Sequence, residues 1–201
     1  MATKLILASQ SIQRQNLLKT VGVPFTVVPS DIDEKAIRHD DLAEQARLIA
    51  QAKAAAVQLQ FPEAAILAAD TFAECEGRVM EKPASVDEAR GMLEHFSDTV
   101  FIVFSGFYFS DPSSGVVISK TVLNKAKFRP LSKEEIVTYV STQPVTTWSG
   151  AFSAAYSEGA SLIEWIEGSL TAFTHGLPME EVYSALRKAS FLPEGVTKKH
   201  V

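Results

Sequence analysis

Asp70 stands directly behind AAILAA at 64–69, an apolar run of strand length. Such uninterrupted runs belong to strands buried on both faces. A carboxylate in that place either caps the turn that follows or sits in a cleft, where it can hold a divalent cation or take a proton from water. Three other segments put polar side chains where strands should end: Ser9, Ser11 and Arg14; Asp31, Asp33 and Glu34; and Glu81-Lys82-Pro83. In open α/β sheets ligands bind outside the carboxyl ends of strands. A phosphate site needs carboxylates to hold a metal and cations to neutralise the phosphate oxygens. Asp70 and Glu34 can supply the first; Lys53, Lys82 and Arg14 can supply the second. In LILASQSIQRQNLLKTVG (5–22) the two hydroxyls and Arg14 fall at the start of a helix, whose free N–H groups and dipole favour an anion. The competing reading makes Ser11 an ordinary N-cap and Arg14 a solvated helix residue. Lys53 taken alone is a surface lysine.

These residues need a scaffold, and the spacing predicts one. A strand over 4–8 leads into a helix over 12–21, which Gly22 and Pro24 stop before a short strand over 25–28. A long Ala- and Leu-rich helix over 41–58 carries Lys53. The apolar strand ends at Asp70-Thr71, and Glu76-Gly77-Arg78 forms a hairpin turn. Ser85 with Glu88, and Ser132 with Glu135, are spaced as capping boxes opening two further helices, over 85–96 and to about 140. Strands over 100–110 and 116–128 flank the turn DPSSG, so they pair as an antiparallel hairpin. A strand over 161–167 and a helix over 178–188 close the pattern, and Lys198-Lys199-His200 reads as a solvated tail. Alternating helices and strands around one antiparallel hairpin give an α/β fold with a mixed sheet.

The whole-chain numbers bound the function. The 201 residues suit a single domain, at most two lobes around one cleft. A net charge of −5 argues against a protein that coats nucleic acid. The single cysteine, Cys75, excludes an internal disulfide framework and fits a reducing, cytoplasmic setting. No apolar segment approaches membrane-spanning length. His39, His95, His175 and His200 show no metal-ligand spacing, and Trp148 and Trp165 read as core or cleft wall rather than as a base-stacking platform. Neither a P-loop nor a nucleophile elbow occurs.

Taken in order, these strings resemble the Maf family of nucleoside triphosphate pyrophosphatases. The opening is similar to the family's LILASxSPRRxxLL; Ala69-Asp70-Thr71, Glu81-Lys82-Pro83, FRPLSKEEIVTYV at 128–140, Ile166-Glu167-Gly168 and Gly176-Leu177-Pro178 match as well. The resemblance covers about 4–187. It implies a twisted, elongated mixed sheet flanked by helices with a central cleft, as in inosine triphosphate pyrophosphatases. It implies hydrolysis of a small-molecule nucleoside triphosphate to the monophosphate and pyrophosphate, assisted by magnesium or manganese. Asp70 would activate water. Ser9, Ser11, Arg14, Lys53 and Lys82 would surround the phosphates, with Glu34 and Asp70 at the metal. The family is often dimeric, so a homodimer is expected.

The departures bear on the substrate. The family's Pro-Arg-Arg reads Ile12-Gln13-Arg14, and the histidine of its SGxTH segment is absent from Ser97-Asp98-Thr99-Val100-Phe101. The stretch 149–159 lacks the glutamine of the branch acting on thymidine and uridine nucleotides, and Glu158 in it resembles the glutamate of the branch acting on 7-methyl-GTP, whereas Thr71 matches the thymidine and uridine branch. A carboxylate suits the donor edge of 7-methylguanine; a glutamine suits a pyrimidine. Gln13, Thr71 and Glu158 therefore point to different bases. Two other readings stand beside the enzyme: a catalytically weakened nucleotide-binding regulator, motivated by Gln13 and the missing histidine, and a phosphatase releasing orthophosphate.

Overall fold

The computed structural model describes residues 4–193, so the tail at 198–200 lies outside the described residues. A seven-stranded mixed sheet organises the chain. Strand β1 (Leu5–Leu7) leads into α1 (Ile12–Lys19) and β2 (Phe25–Val27). A 3-10 turn (Glu34–Ala36) precedes the long α2 (Leu42–Gln60), then come β3 (Ala65–Cys75), β4 (Arg78–Met80), α3 (Val86–Phe96) and the hairpin β5 (Val100–Asp111) and β6 (Val116–Phe128). Helix α4 (Lys133–Thr142), 3-10 turns at Val145–Thr147 and Ser149–Ala151, α5 (Ser157–Ala160), β7 (Ile163–Glu167), α6 (Leu170–His175) and α7 (Met179–Lys188) complete it. The sheet order is β2-β1-β3-β5-β6-β7; β1 runs parallel to β2 and β3, and the other pairs are antiparallel. The α/β class, the central hairpin and the helices over 12–19 and 42–60 agree with the sequence expectation.

The caps follow their spacing unevenly. Ser132 accepts from the Glu135 N–H while the Glu135 carboxylate accepts from the Ser132 N–H, a complete capping box. Ser85 accepts from the Glu88 N–H, but the Glu88 carboxylate accepts from Ala84 instead, so that box is only half formed. Helices α5 and α6 escaped the sequence reading because four and six residues are too short to show a 3.6-residue period.

The strand with the most bearing on function differs from its sequence expectation. β3 does not end at Asp70-Thr71 but continues to Cys75, because β5 pairs with it without a break from Ile66 to Glu74. What ends near Asp70 is the neighbour on the other edge. β1 pairs with Ala65–Leu67, and β4 pairs with 73–75. Residues 68–72 of β3 therefore have no strand beside them on that edge. This gap is a notch in the sheet, and both Asp70 and Thr71 look into it.

Alternation along β3 sorts the notch into two sides. Ala65, Leu67 and Ala69 join a core beneath α1 and α7 with Leu18, Leu177 and Val182, whereas Ala73 and Cys75 join an aromatic core with Phe96, Phe101 and Phe128. Thr71 lies between these two cores, on the same face. Ile66 and Ala68 pack on α2 residues Ala54 and Val57, and Phe72 packs near Ala46 and Ile49. Asp70 falls between these, facing α2. Gly106, in register with Asp70, lets α2 come down this close: a Cβ on it would meet the Ala46 carbonyl oxygen at 2.0 Å. The notch thus comes from one sheet whose middle strand is bare along one edge over five residues.

Candidate active site in the sheet notch

The notch opens into a cavity of about 790 Å³ lined by the loop 8–11 after β1, by residues of α1, α2, β3, β5 and α6, by the loops at 30–34 and 82, and by the segment 144–156. Its floor carries an ion cluster, buried at Lys53 and Asp70 and half-exposed at Glu34. Lys53 Nζ lies 2.7 Å from Asp70 Oδ1 and 3.0 Å from Glu34 Oε2. The sequence alone would have left Lys53 on a surface. Instead it is 6% exposed, because α2 packs flat on β3 and β5 and turns this side chain toward the sheet. A buried ammonium is costly without partners, and the two carboxylates supply them. Asp70 and Glu34 also act on the buried Arg14 guanidinium, so two carboxylates face two cations there. No protein donor among the described residues is bonded to Asp70 Oδ2, so that oxygen is available to water or a cation.

Arg14 is not the solvated helix residue of the competing reading: it lines the cavity. It is buried, and its fork is used within the protein. Nε donates to the Gly176 carbonyl at 3.0 Å, Nη1 to the Ala69 carbonyl at 2.7 Å and to Ser9 Oγ at 3.3 Å, and Nη2 to Thr71 Oγ1 at 3.0 Å. The Ala69 carbonyl belongs to the unpaired edge of β3, so the guanidinium replaces the missing strand there. Burial pushes its pKa down, and the charges of Asp70 and Glu34 oppose that shift. Gly176 has φ 62°, and a Cβ there would meet Thr71 Oγ1 at 2.5 Å and Arg14 Nη2 at 3.0 Å. The Gly-Leu-Pro string thus closes the cavity by abutting Arg14 and Thr71.

The remaining sequence candidates divide. Ser11 is the N-cap of α1, accepting from the Arg14 N–H, and its hydroxyl donates to Gln13 Oε1 at 3.0 Å; both residues line the cavity. Ser9 Oγ accepts from the Ser11 N–H as well as from Arg14. Lys82 lines the cavity, is exposed, and has no carboxylate partner among the described residues. Its neighbour Glu81 is held by Arg38 at 2.7 Å.

Glu158 is placed apart from the other candidates. It lies in α5, exposed, with its carboxylate accepting from Ser157 Oγ at 2.9 Å, and it does not line the cavity. The turn before it instead brings in Tyr156 and Ser153. His175, scattered among unpatterned histidines in the sequence, does line the cavity; its Nδ1 is 2.7 Å from Thr174 Oγ1, and burial lowers its pKa. No periodicity marks this residue; only its position before Gly176-Leu177-Pro178 could have pointed to it.

Asp70 and Glu34 form a donor set fit for a hard divalent cation such as magnesium or manganese. Lys53 engages one oxygen of each carboxylate. Among the described residues no group of three or more His, Cys, Asp or Glu comes together. Magnesium commonly binds through one or two carboxylates, with water and substrate phosphates completing its shell. The donor set therefore suits an ion shared with a phosphorylated ligand.

Comparison with known proteins finds relatives of one kind. A dTTP/UTP pyrophosphatase of Moorella thermoacetica is 37% identical over 187 residues, covering 92% of this chain and 94% of the relative. One from Syntrophus aciditrophicus is 35% identical over 184 residues, covering 92% and 89%. The Ham1 protein of Staphylococcus aureus aligns over 63% of this chain and 72% of its own, with a TM-score of 0.42 and 15% identity, too distant to add to the fold described above. The family described as Maf-like protein matches residues 4–189, nearly the whole length over which the notch, its ion cluster and its closing loop are built, and the chain belongs to that family.

Proposed function

We propose that this protein hydrolyses a pyrimidine nucleoside triphosphate, of the dTTP or UTP type, to the monophosphate and pyrophosphate. The observation that carries the reading is the Asp70–Lys53–Glu34 cluster at the floor of the notch. The pyrimidine preference draws on relatives named dTTP/UTP pyrophosphatase and on Glu158 lying outside the cavity. With that carboxylate absent, nothing acidic in the 144–156 wall complements the donor edge of 7-methylguanine.

Each residue has a part. Lys53 fixes Asp70 through Oδ1, leaving Oδ2 to accept a proton from an attacking water. The new bond joins the water oxygen to the α-phosphorus. The bond from that phosphorus to the α,β-bridging oxygen breaks, and pyrophosphate leaves. Lys82 balances charge on the phosphates. Arg14 and Ser9 hold the unpaired edge of β3, so that Asp70 and Thr71 keep their positions. A divalent cation bound by Glu34 and Asp70 would supply charge neutralisation at the phosphate oxygens.

The test is turnover of dTTP, UTP, CTP and 7-methyl-GTP with magnesium and with manganese, identifying the phosphate species released. Wild type is expected to release pyrophosphate, and Asp70→Asn to lose about 100-fold or more of the rate, the usual scale for a positioned base. Orthophosphate as the first product would make the protein a phosphatase. Nucleotide binding without release of either would make it a regulator. An Asp70→Asn variant at wild-type rate would remove Asp70 from the mechanism.

A further inference from the structure

The cavity is chemically lopsided. Lys53, Asp70, Glu34, Arg14 and Lys82 give the lining its charge. The segment 144–156 contributes Pro144, Thr147, Trp148, Phe152, Ser153 and Tyr156 to it, and no charged side chain. Trp148 and Tyr156 lie together there, ring centroids 5.5 Å apart and planes inclined by 32°.

The segment is held firmly enough to act as a platform. Gly150, at φ 68°, and Ala151, at φ 63°, turn the backbone through left-handed geometry between the two aromatic residues. A Cβ on Gly150 would come within 3.1 Å of the Phe96 ring. Phe152 follows, packed edge-on against Phe96, Phe101 and Phe128. Trp148 rests on the same core and yet lines the cavity, while Tyr156 is 42% exposed. A large aromatic ring half in a core and half in a cavity offers a face to a flat ligand at little cost in side-chain entropy. The Gly150 N–H also donates to the Glu81 carbonyl at 3.1 Å, which ties this wall to the loop carrying Lys82.

We propose that Trp148 and Tyr156 form the base platform of this site, holding the nucleobase by stacking while the charged end holds the phosphates. The inference rests on the reading of the cavity as a nucleoside triphosphate site. Stacking recognises a ring without reading its edge, so this platform supplies affinity for the nucleoside and leaves choice among bases to polar neighbours. The hydrogen bond from Gly150 to Glu81 joins the two ends, so the base and the phosphates are gripped by connected loops.

The measurement is Trp148 fluorescence in full-length protein carrying Trp165→Phe, a residue of β7 that does not line the cavity. The probes are α,β-methylene-UTP, which the enzyme cannot cleave at that position, and inorganic tripolyphosphate. The expected result is saturable quenching by the nucleotide and none by tripolyphosphate, although the latter competes for binding. Tyr156→Ala, chosen because its ring is largely exposed, is expected to weaken nucleotide binding by about 10-fold and tripolyphosphate binding by less than 2-fold, the scale of one lost stacking partner. Trp148→Ala should do the same where it folds. Unchanged fluorescence and unchanged nucleotide affinity in Tyr156→Ala, with pyrophosphate release intact, would overturn the platform and leave the proposed reaction standing. Failure of nucleotide and tripolyphosphate alike to bind would overturn both.

Discussion

Replacing Arg14 by lysine separates two roles that a cation at the head of α1 can play. Lysine keeps the charge but loses the planar fork. The guanidinium makes four contacts: with the carbonyls of Gly176 and Ala69 at 3.0 and 2.7 Å, Ser9 Oγ at 3.3 Å and Thr71 Oγ1 at 3.0 Å. An ammonium placed at the Ala69 carbonyl can keep that contact, and the other three are lost. The cost of burying a charge is present in both proteins and largely cancels. Each lost bond is then worth about 1 kcal/mol net, giving a loss of about 3 kcal/mol. For a domain of this size each kcal/mol lowers Tm by about 2–4 °C, so Tm should fall by about 6–12 °C. Urea melts followed by circular dichroism measure the first quantity and calorimetry the second. A loss below about 1 kcal/mol would refute the view that Arg14 splints the open edge of β3. A large fall in turnover at unchanged Tm would make it a phosphate ligand instead.

Two further changes test smaller points. Glu158→Ala should leave KM and kcat for UTP within about 2-fold of wild type, because the side chain faces solvent away from the cavity; a selective loss with 7-methyl-GTP would return Glu158 to the base site. Glu135 is held down at a pKa of about 2, chiefly by the Arg129 side chain and then by the Ser132 N–H, against an ordinary value of 4.5. A folded-state pKa below the unfolded one stabilises the protein above pH 4.5, and that contribution fades as pH falls toward 2. Glu135→Gln should therefore lower Tm at pH 7 and match wild type near pH 2, as thermal melts across that range will read; a gap that persists at low pH would contradict the ion pair and cap as its source.

The comparison of string with structure is most instructive at β3. The apolar run at 64–69 announced a buried strand, and the abrupt Asp-Thr marked its functional point. Its end was misplaced because a strand's length depends on its partners, and β5 lies more than thirty residues along the chain. Trp148 was legible as core or cleft wall. Its pairing with Tyr156 was not, since the turn between them rests on left-handed geometry at Gly150 and Ala151 that no spacing reveals.

What the sequence determined by itself was local: the Ser132 and Glu135 box, the Ser11 cap, the hairpin at 111–115, the long helix bearing Lys53, and the ordered motifs that mark the family. These follow from backbone geometry within a few residues, where composition and period suffice. Tertiary structure decided where the charges went. Lys53 became the counter-ion of Asp70, 17 residues away, through helix-on-sheet packing at Gly106. Arg14 became the support of an unpaired strand edge by reaching Gly176, 162 residues away. Glu158 lies outside the cavity lining because α5 buries Gly159 against Ser153 and Tyr139 and leaves the glutamate exposed. Burial makes every unpaired donor and acceptor costly, so the partner of each buried charge is fixed by which elements pack together.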